Sequence, residues 1–239
     1  MPKKQTELKI NELTIPITQV LCRDIILYVD LKEQKIRGVY PFHVTQEYME
    51  EVCSDKAEEI KNVLSLAKGW KFNNPFKFED GEVEYILGEY YQLKVNVNPS
   101  VKQNVIMDAE NHLITLTVCR PQNTKDFFDK YMRLTLAEYI QSVIPELEKE
   151  LGVKSQGFKI KKLRKAYGNC NKDGFMNFSP LLYRKSKESV KEVVLHELCH
   201  IKEFNHKGEF FDLMSSIMPD WKKWDAELKQ VFPEIKIIV

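Results

Sequence analysis

The run HELCHIKEFNH, at residues 196–206, constrains this chain more than any other feature of its sequence. It fits the pattern His-Glu-x-x-His, followed by a third histidine six residues after the second. Because an α-helix turns about 100° per residue, His196 and His200 lie on one face, where both imidazoles can bind one metal ion. Glu197 then lies beside that ion and can accept a proton from a water molecule. His206 supplies a third ligand and leaves a fourth position open, as in catalytic zinc sites, so the pattern predicts a zinc-dependent hydrolase.

The residues around this run have the periodicity of an amphipathic helix. Glu197 falls in the middle of the apolar stripe, so its carboxylate is expected to face the core of the protein. A carboxylate in that position costs free energy unless it is paired or takes part in chemistry, which favours Glu197 as the general base. Cys199 falls on another side of the helical wheel and is interpreted as a buried thiol, not as a ligand. The stripe consists of the apolar residues at positions 190, 193, 194, 198, 201 and 204.

Composition and charge argue against several classes of protein. The formal net charge of +1 gives no overall field that would favour nucleic acid or an anionic membrane. The five cysteines are odd in number and scattered without Cys-x-x-Cys spacing, which is not a disulfide framework. The amino terminus lacks the apolar core of a secretory signal, and no stretch is long enough to span a bilayer. We therefore expect a cytoplasmic protein without a membrane partner.

Three stretches of the sequence resemble the YgjP-like metallopeptidase family, which is related to the SprT and WLM zincins. They are GNCNKDGFMNF, VVLHELCHIKEFNHKGEFF and MPDW, within residues 167–221. The resemblance implies that the three histidines of the run bind zinc and that Glu197 is the base. Family members have a Trp-Gly-Ser-Cys-Ser-like loop, from which this chain departs at Tyr167, Asn169 and Asn171. The spacing of the third histidine equals that of metzincins, but Glu203 replaces their glycine, so that class is disfavoured.

Hydrophobic periodicity and turn signals predict an α+β fold, with a strand-rich N-terminal half followed by a zincin-like catalytic part that contains the HExxH helix. We predict two regions, residues 1–120 with one helix and residues 121–239 with the metal site, or one continuous domain that contains both. The predicted helices are 46–67 after the cap Thr45, 123–143, one starting at Pro145, 190–204 after a cap at Ser186 or Ser189, 207–218, and one opening at Trp221. The predicted strands are two or three within 13–41, the hairpins 83–97 and 101–118, and single strands near 157–163 and 174–178.

Three functions remain open from the sequence. The first is a zinc metallopeptidase, or a hydrolase of another small substrate, in which Glu197 takes a proton from the attacking water. The second is a metal-dependent nucleotide pyrophosphatase, whose phosphates the basic run 159–165 would hold. The third is a non-enzymatic metalloprotein that uses the same basic run to associate with nucleic acid.

Two further expectations concern the surroundings of the metal. Tyr167 and Arg164 are candidates for stabilising an oxyanion, and the ligand histidines are expected to bond to backbone carbonyls or a distant acid rather than to the Glu203 side chain. The strand near 174–178 is expected to be an edge strand beside the metal, where an extended peptide can pair with it. If that strand were paired on both sides, the pyrophosphatase would gain ground over the peptidase.

Overall fold

The computed structural model describes residues 5–72, 76–164, 166–229 and 235–238. Residue contacts divide the chain into two compact units, Met1–Trp70 with Phe232–Val239 and Lys71–Val231. Strands dominate the first half and helices follow, which confirms the predicted α+β class. Within the described ranges, every helix is too short or too polar to cross a membrane.

The first unit contains a five-stranded sheet. Its strands are β1 (Gln5–Ile10), β2 (Leu13–Val20), β3 (Ile26–Asp30), β4 (Lys35–Pro41) and, at the end of the chain, β12 (Ile235–Ile238). They lie in the order β1-β2-β4-β3-β12, with β2 and β4 parallel and the other pairs antiparallel. Two or three strands were predicted within 13–41, and three are present because their apolar residues alternate, as at the buried Leu27 and Val29 of β3. The outer strands β1 and β12 were not predicted.

The helix predicted over 46–67 consists of two helices, α1 (Gln46–Asp55) and α2 (Ala57–Leu66). Thr45 caps α1 as predicted, since its side chain accepts a hydrogen bond from the Tyr48 backbone N–H at 3.2 Å. Lys56 separates the two helices with φ −88° and ψ −3°, a conformation that tightens the turn and changes the course of the chain. The prediction of a single helix is therefore wrong, although most of the predicted residues are helical.

The second unit begins with a four-stranded sheet and a long helix. The strands are β5 (Val83–Ile86), β6 (Glu89–Val97), β7 (Asn104–Asp108) and β8 (Leu113–Val118), in the order β5-β6-β8-β7. Both predicted hairpins are confirmed, because β5 pairs with β6 and β7 with β8 in antiparallel register. The helix α3 (Thr124–Leu151) packs against β8.

The helix α3 continues through Pro145, so the predicted new helix at that residue is wrong. Proline has no N–H and costs one hydrogen bond of the helix interior. Buried side chains line the helix on both sides of the proline, including Ile140, Ile144, Leu147 and Leu151. Their burial offsets the lost bond.

The rest of the second unit is a small sheet followed by three helices. The strands β9 (Phe158–Ile160), β10 (Gly168–Cys170) and β11 (Met176–Phe178) lie in the order β10-β11-β9. The helices are α4 (Lys187–Cys199), α5 (Gly208–Ile217) and α6 (Trp221–Glu227). The strand β10 lies in a segment that was predicted to be a loop. The prediction was a loop because a three-residue segment with a glycine and an asparagine has little strand propensity.

The strand near 174–178 is not an edge strand. It forms β11, which pairs antiparallel with β10 on one side and parallel with β9 on the other. The prediction failed because β10 was not foreseen, and β10 takes the place that a substrate was expected to occupy. The edge strands of this sheet are β10 and β9.

The contacts divide the chain near residue 70, whereas the sequence suggested a division at residue 120 or one continuous domain. Residue 120 lies between β8 and α3, which pack together in the second unit. The last strand, β12, moreover pairs with β3 of the first unit. The sequence division followed the change from strands to helices, and that change does not report which elements share a core.

Candidate metal centre

The helix α4 carries the first part of the candidate site. It begins at the cap Ser186, whose side chain accepts a hydrogen bond from the Ser189 backbone N–H at 3.2 Å. It ends at Cys199, earlier than the predicted residue 204, but His200 keeps helical dihedral angles of φ −63° and ψ −16°. His196 and His200 therefore remain one turn apart on the same face, as predicted.

The structure brings the three predicted histidines together. One ligand nitrogen from each of His196, His200 and His206 lies within 4.8 Å of the other two. The Nε2 atoms of His196 and His206 are 2.9 Å apart. A tetrahedral zinc ion with bonds of about 2.0–2.1 Å holds its ligand nitrogens about 3.3 Å apart, so small side-chain movements suffice to bind one.

Phe210 of α5 forms an apolar wall against all three histidines. It is fully buried. Its ring centroid lies 4.9 Å from that of His196, 4.9 Å from that of His200 and 4.7 Å from that of His206. Packing on one rigid ring restricts the rotation of the imidazoles, and it holds the cluster together from the side opposite to solvent.

The surroundings of His196 and His200 keep these two imidazoles neutral. Burial, together with the neighbouring His200 and His206, lowers the pKa of His196 to about 4. Burial also lowers the pKa of His200. Because a metal ion binds the neutral imidazole, these shifts leave the nitrogen lone pairs available at neutral pH.

The hydrogen bond that orients His200 goes to a backbone carbonyl, as predicted. Its Nδ1 atom lies 3.1 Å from the carbonyl oxygen of Glu203, so the residue takes part through its main chain and not through its carboxylate. A bond at Nδ1 leaves Nε2 free for a metal ion. On α6, the negative charge of Asp225 acts on His196 and partly offsets the lowering of its pKa.

Glu197 is buried beside this cluster, with 5% of its surface exposed, which confirms that its side chain faces inward. Burial raises the pKa of Glu197 to about 8, and a hydrogen bond from the Cys170 backbone N–H opposes that rise. Among the described residues, the Oε2 atom of Glu197 has no hydrogen-bond partner. A buried carboxylate oxygen without a partner is costly, and it fits a site completed by a metal ion and its water.

The remaining sequence candidates lie in other surroundings. The Tyr167 hydroxyl donates to the Leu228 carbonyl oxygen at 3.1 Å, so its proton is committed away from the histidines. Arg164 is exposed, and Lys165 of the basic run lies outside the described residues. Cys199 is buried as expected. Burial and the charge of Glu197 raise the pKa of the Cys170 thiol to about 11, so it stays protonated at neutral pH.

The sequence missed β10 as part of the site. This strand packs against α4, and Gly168 lies directly beside the Glu197 carboxylate. An isolated glycine in a strand often marks a close approach of another group to the backbone. Gly168 carries that signal, but the sequence alone does not identify the residue that approaches it.

An α+β fold that carries three gathered histidines and a buried glutamate has the arrangement expected of a metallohydrolase. The metallopeptidase domain model of YgjP-like proteins matches residues 24–231, so the chain belongs to the YgjP-like metallopeptidase family. The same match confirms the resemblance seen in the sequence.

Two solved structures show a weaker likeness. The crystal structure of the metallopeptidase zymogen of Pyrococcus abyssi abylysin is 18% identical over 37% of this chain and 90% of that one, with a TM-score of 0.35. The zymogen of Methanocaldococcus jannaschii jannalysin is 19% identical over 37% of this chain and 86% of that one, with a TM-score of 0.34. A comparison with curated proteins gave no match.

Proposed function

We propose that this metallopeptidase is a zinc enzyme in which His196, His200 and His206 hold the metal and Glu197 is the general base. One observation carries the proposal. The unpartnered oxygen of a buried glutamate lies on the same helix as two of three imidazoles whose nitrogens are already within 4.8 Å of one another. This is the arrangement that metal-assisted hydrolysis requires, with a ligand set, an open position and a proton acceptor.

A bound zinc ion would supply Lewis acidity, both to a substrate carbonyl and to a water molecule. The protein supplies the proton transfers. Glu197 accepts a proton at Oε2 from the attacking water and returns it to the leaving amine. Its raised pKa of about 8 falls when a cation is bound nearby, because an opposite charge favours the ionised carboxylate.

The edge strand β10 is the proposed place for the substrate main chain. Hydrogen bonds from the Ser179 N–H to the Tyr167 carbonyl and from the Asn171 N–H to the Phe175 carbonyl fix the pairing of β10 with β11. In this antiparallel register, the N–H and C=O groups of Gly168 and Cys170 point away from β11. The Cys170 N–H meets Glu197, and an extended peptide pairing with the other groups would run past the catalytic glutamate.

The pyrophosphatase is the less favoured function. A doubly paired strand near 174–178 was expected to favour it, but β10 offers an edge strand that lies beside Glu197. The family match is to metallopeptidases. The described residues of the basic run include exposed lysines at 159, 161 and 162, which suit a solvated surface as well as a phosphate.

The proposal is tested with Glu197→Gln, which keeps the shape of the side chain but cannot accept a proton. The variant and the wild type are loaded with zinc, their zinc content is measured, and each is incubated with a mixture of unstructured peptides that is analysed by mass spectrometry. We expect unchanged zinc content and a loss of cleavage rate of about 10²–10⁴-fold.

The matched control is Glu188→Gln, the same substitution at an exposed position in the first turn of α4. It should cleave peptides at the wild-type rate. If Glu197→Gln is as active as this control, Glu197 is not the general base. If the wild type hydrolyses nucleotides but no peptide, the proposed peptidase function is wrong.

A further inference from the structure

We propose that Gly168 is a positioning residue for Glu197, because the absence of a side chain at residue 168 provides the space in which the Glu197 carboxylate lies. The role of Gly168 in turnover rests on the proposed function of Glu197. The steric coupling between the two residues does not, and it can be measured without a substrate.

A side chain at residue 168 would overlap the Glu197 side chain. A Cβ atom built on Gly168 would lie 2.5 Å from Oε1, 2.7 Å from Cγ and 2.9 Å from Cδ of Glu197. Carbon atoms in packed proteins approach one another to about 3.5–4.0 Å. Any residue other than glycine at this position therefore requires the glutamate, the strand or the helix to move.

Backbone conformation does not explain the glycine. Five non-glycine residues and six glycines among the described residues have a positive φ, and Gly168 is not one of them. An L-amino acid can therefore adopt the conformation of residue 168 without strain. What excludes a side chain is the neighbouring carboxylate.

Hydrogen bonds hold both partners in their present places. The strand β10 is fixed by its pairing with β11 and by the bonds that flank it, including Ser179 N–H to Tyr167 carbonyl at 2.7 Å. Glu197 extends from the buried side of α4, near Val193 and Val194. A rotation of its side chain would break the hydrogen bond from Cys170 and move the unpartnered oxygen away from its present place.

Another glycine shows the contrast. In the first unit, a Cβ atom at Gly38 would lie 2.6 Å from Cε of Met49, the end of a flexible side chain, with the next atoms, of Ile17 and Leu27, at 3.1 Å and 3.2 Å. At Gly168 the obstacle is a carboxyl group together with the Cγ atom that carries it, held between a helix and a strand. The clash at Gly168 therefore acts on the position of the carboxylate rather than being absorbed by a neighbour.

The test is Gly168→Ala, with Gly208→Ala as its matched control. Gly208 begins α5, two residues after His206, and a Cβ atom there would meet no atom within 4 Å. With zinc bound, Gly168→Ala should keep its metal and its KM for a peptide substrate while kcat falls by up to about 10²–10⁴-fold, the contribution of a general base. Gly208→Ala should retain the wild-type kcat.

A stability cycle tests the steric coupling independently of activity. Overpacking should lower the Tm of Gly168→Ala by about 2–12 °C relative to the wild type. Glu197→Ala removes all three of the atoms that a Cβ at residue 168 would meet. In that background, the same glycine substitution should lower the Tm by much less.

The outcomes separate the two proposals. Equal Tm losses in both backgrounds, or a wild-type kcat in Gly168→Ala, would overturn the positioning role. If the Tm loss of Gly168→Ala disappears in the Glu197→Ala background but the wild-type protein cleaves no peptide, the steric coupling is upheld and the proposed function is rejected.

Discussion

Replacement of Phe210 by alanine tests whether the apolar wall holds the histidines together. The ring is fully buried, and its centroid lies within 4.9 Å of the centroids of all three imidazoles. Alanine at this position leaves a cavity between α5 and the cluster. The imidazoles would gain rotational freedom, which binding of a metal ion must then remove.

The expected magnitude follows from the burial. Truncation of a fully buried phenylalanine costs about 3–5 kcal/mol in the free energy of unfolding. For a chain of this size, each kcal/mol lowers the Tm by about 2–4 °C, so the Tm should fall by about 6–20 °C. Loss of support around metal ligands typically weakens metal binding by about 10–100-fold.

Both quantities can be measured on the same preparations. Calorimetry of the metal-free protein gives the Tm, and competition with a chromophoric chelator gives the dissociation constant for zinc. The neighbouring Phe211→Ala is the control, because its ring is 38% exposed and stacks on Trp221 at a centroid distance of 5.4 Å. If Phe210→Ala lost no more stability or zinc affinity than Phe211→Ala, Phe210 would not be the support described here.

Two further predictions concern other parts of the second unit. Arg184→Ala leaves the Glu84 carboxylate buried without its cation and should cost about 3 kcal/mol or more at neutral pH, whereas Lys125→Ala, which breaks an exposed pair with Asp129, should cost less than about 1 kcal/mol. Burial raises the pKa of Glu84, so the folded state binds this proton more readily than the unfolded state does. The free energy of unfolding lost in Arg184→Ala should therefore shrink as the pH is lowered, because a protonated Glu84 needs no cation. A loss that grows at low pH would contradict this. Ser186→Ala removes the cap of α4 and should cost about 1 kcal/mol in urea unfolding, and an unchanged midpoint would show that the cap contributes nothing.

The sequence predicted the geometry of the candidate site where that geometry is local. The spacing of His196 and His200 and the inward direction of Glu197 follow from the period of a single helix. His206 reaches the other two histidines because the loop after α4 returns to that helix. The bond from the His200 ring to the Glu203 carbonyl is local as well, and it is of the kind that was expected, a bond to a backbone carbonyl or a distant acid.

The parts that the sequence did not predict depend on contacts between distant segments. The strand β10 is defined by its partner β11, not by its own composition, so both the edge of the sheet and the contact between Gly168 and Glu197 were missed. The helix α3 passes Pro145 because its buried side chains outweigh a local breaker. The two hairpins were predicted correctly because each is formed by neighbouring strands and a turn.

The central claim is that one metal ion binds through three of the five histidines, and replacing each histidine in turn tests it most directly. The dissociation constant for zinc is measured by chelator competition for five variants, each with one histidine changed to alanine. Changes at His196, His200 and His206 should each weaken binding by more than the 10–100-fold typical of outer contacts, at about one zinc per wild-type chain. The other two are built-in controls, since His112 lies in the β7–β8 turn with its Nδ1 2.9 Å from the Tyr90 carbonyl oxygen, and His43 belongs to the first unit. Wild-type affinity in any of the three cluster variants, or an equal loss in His43→Ala or His112→Ala, would contradict the account.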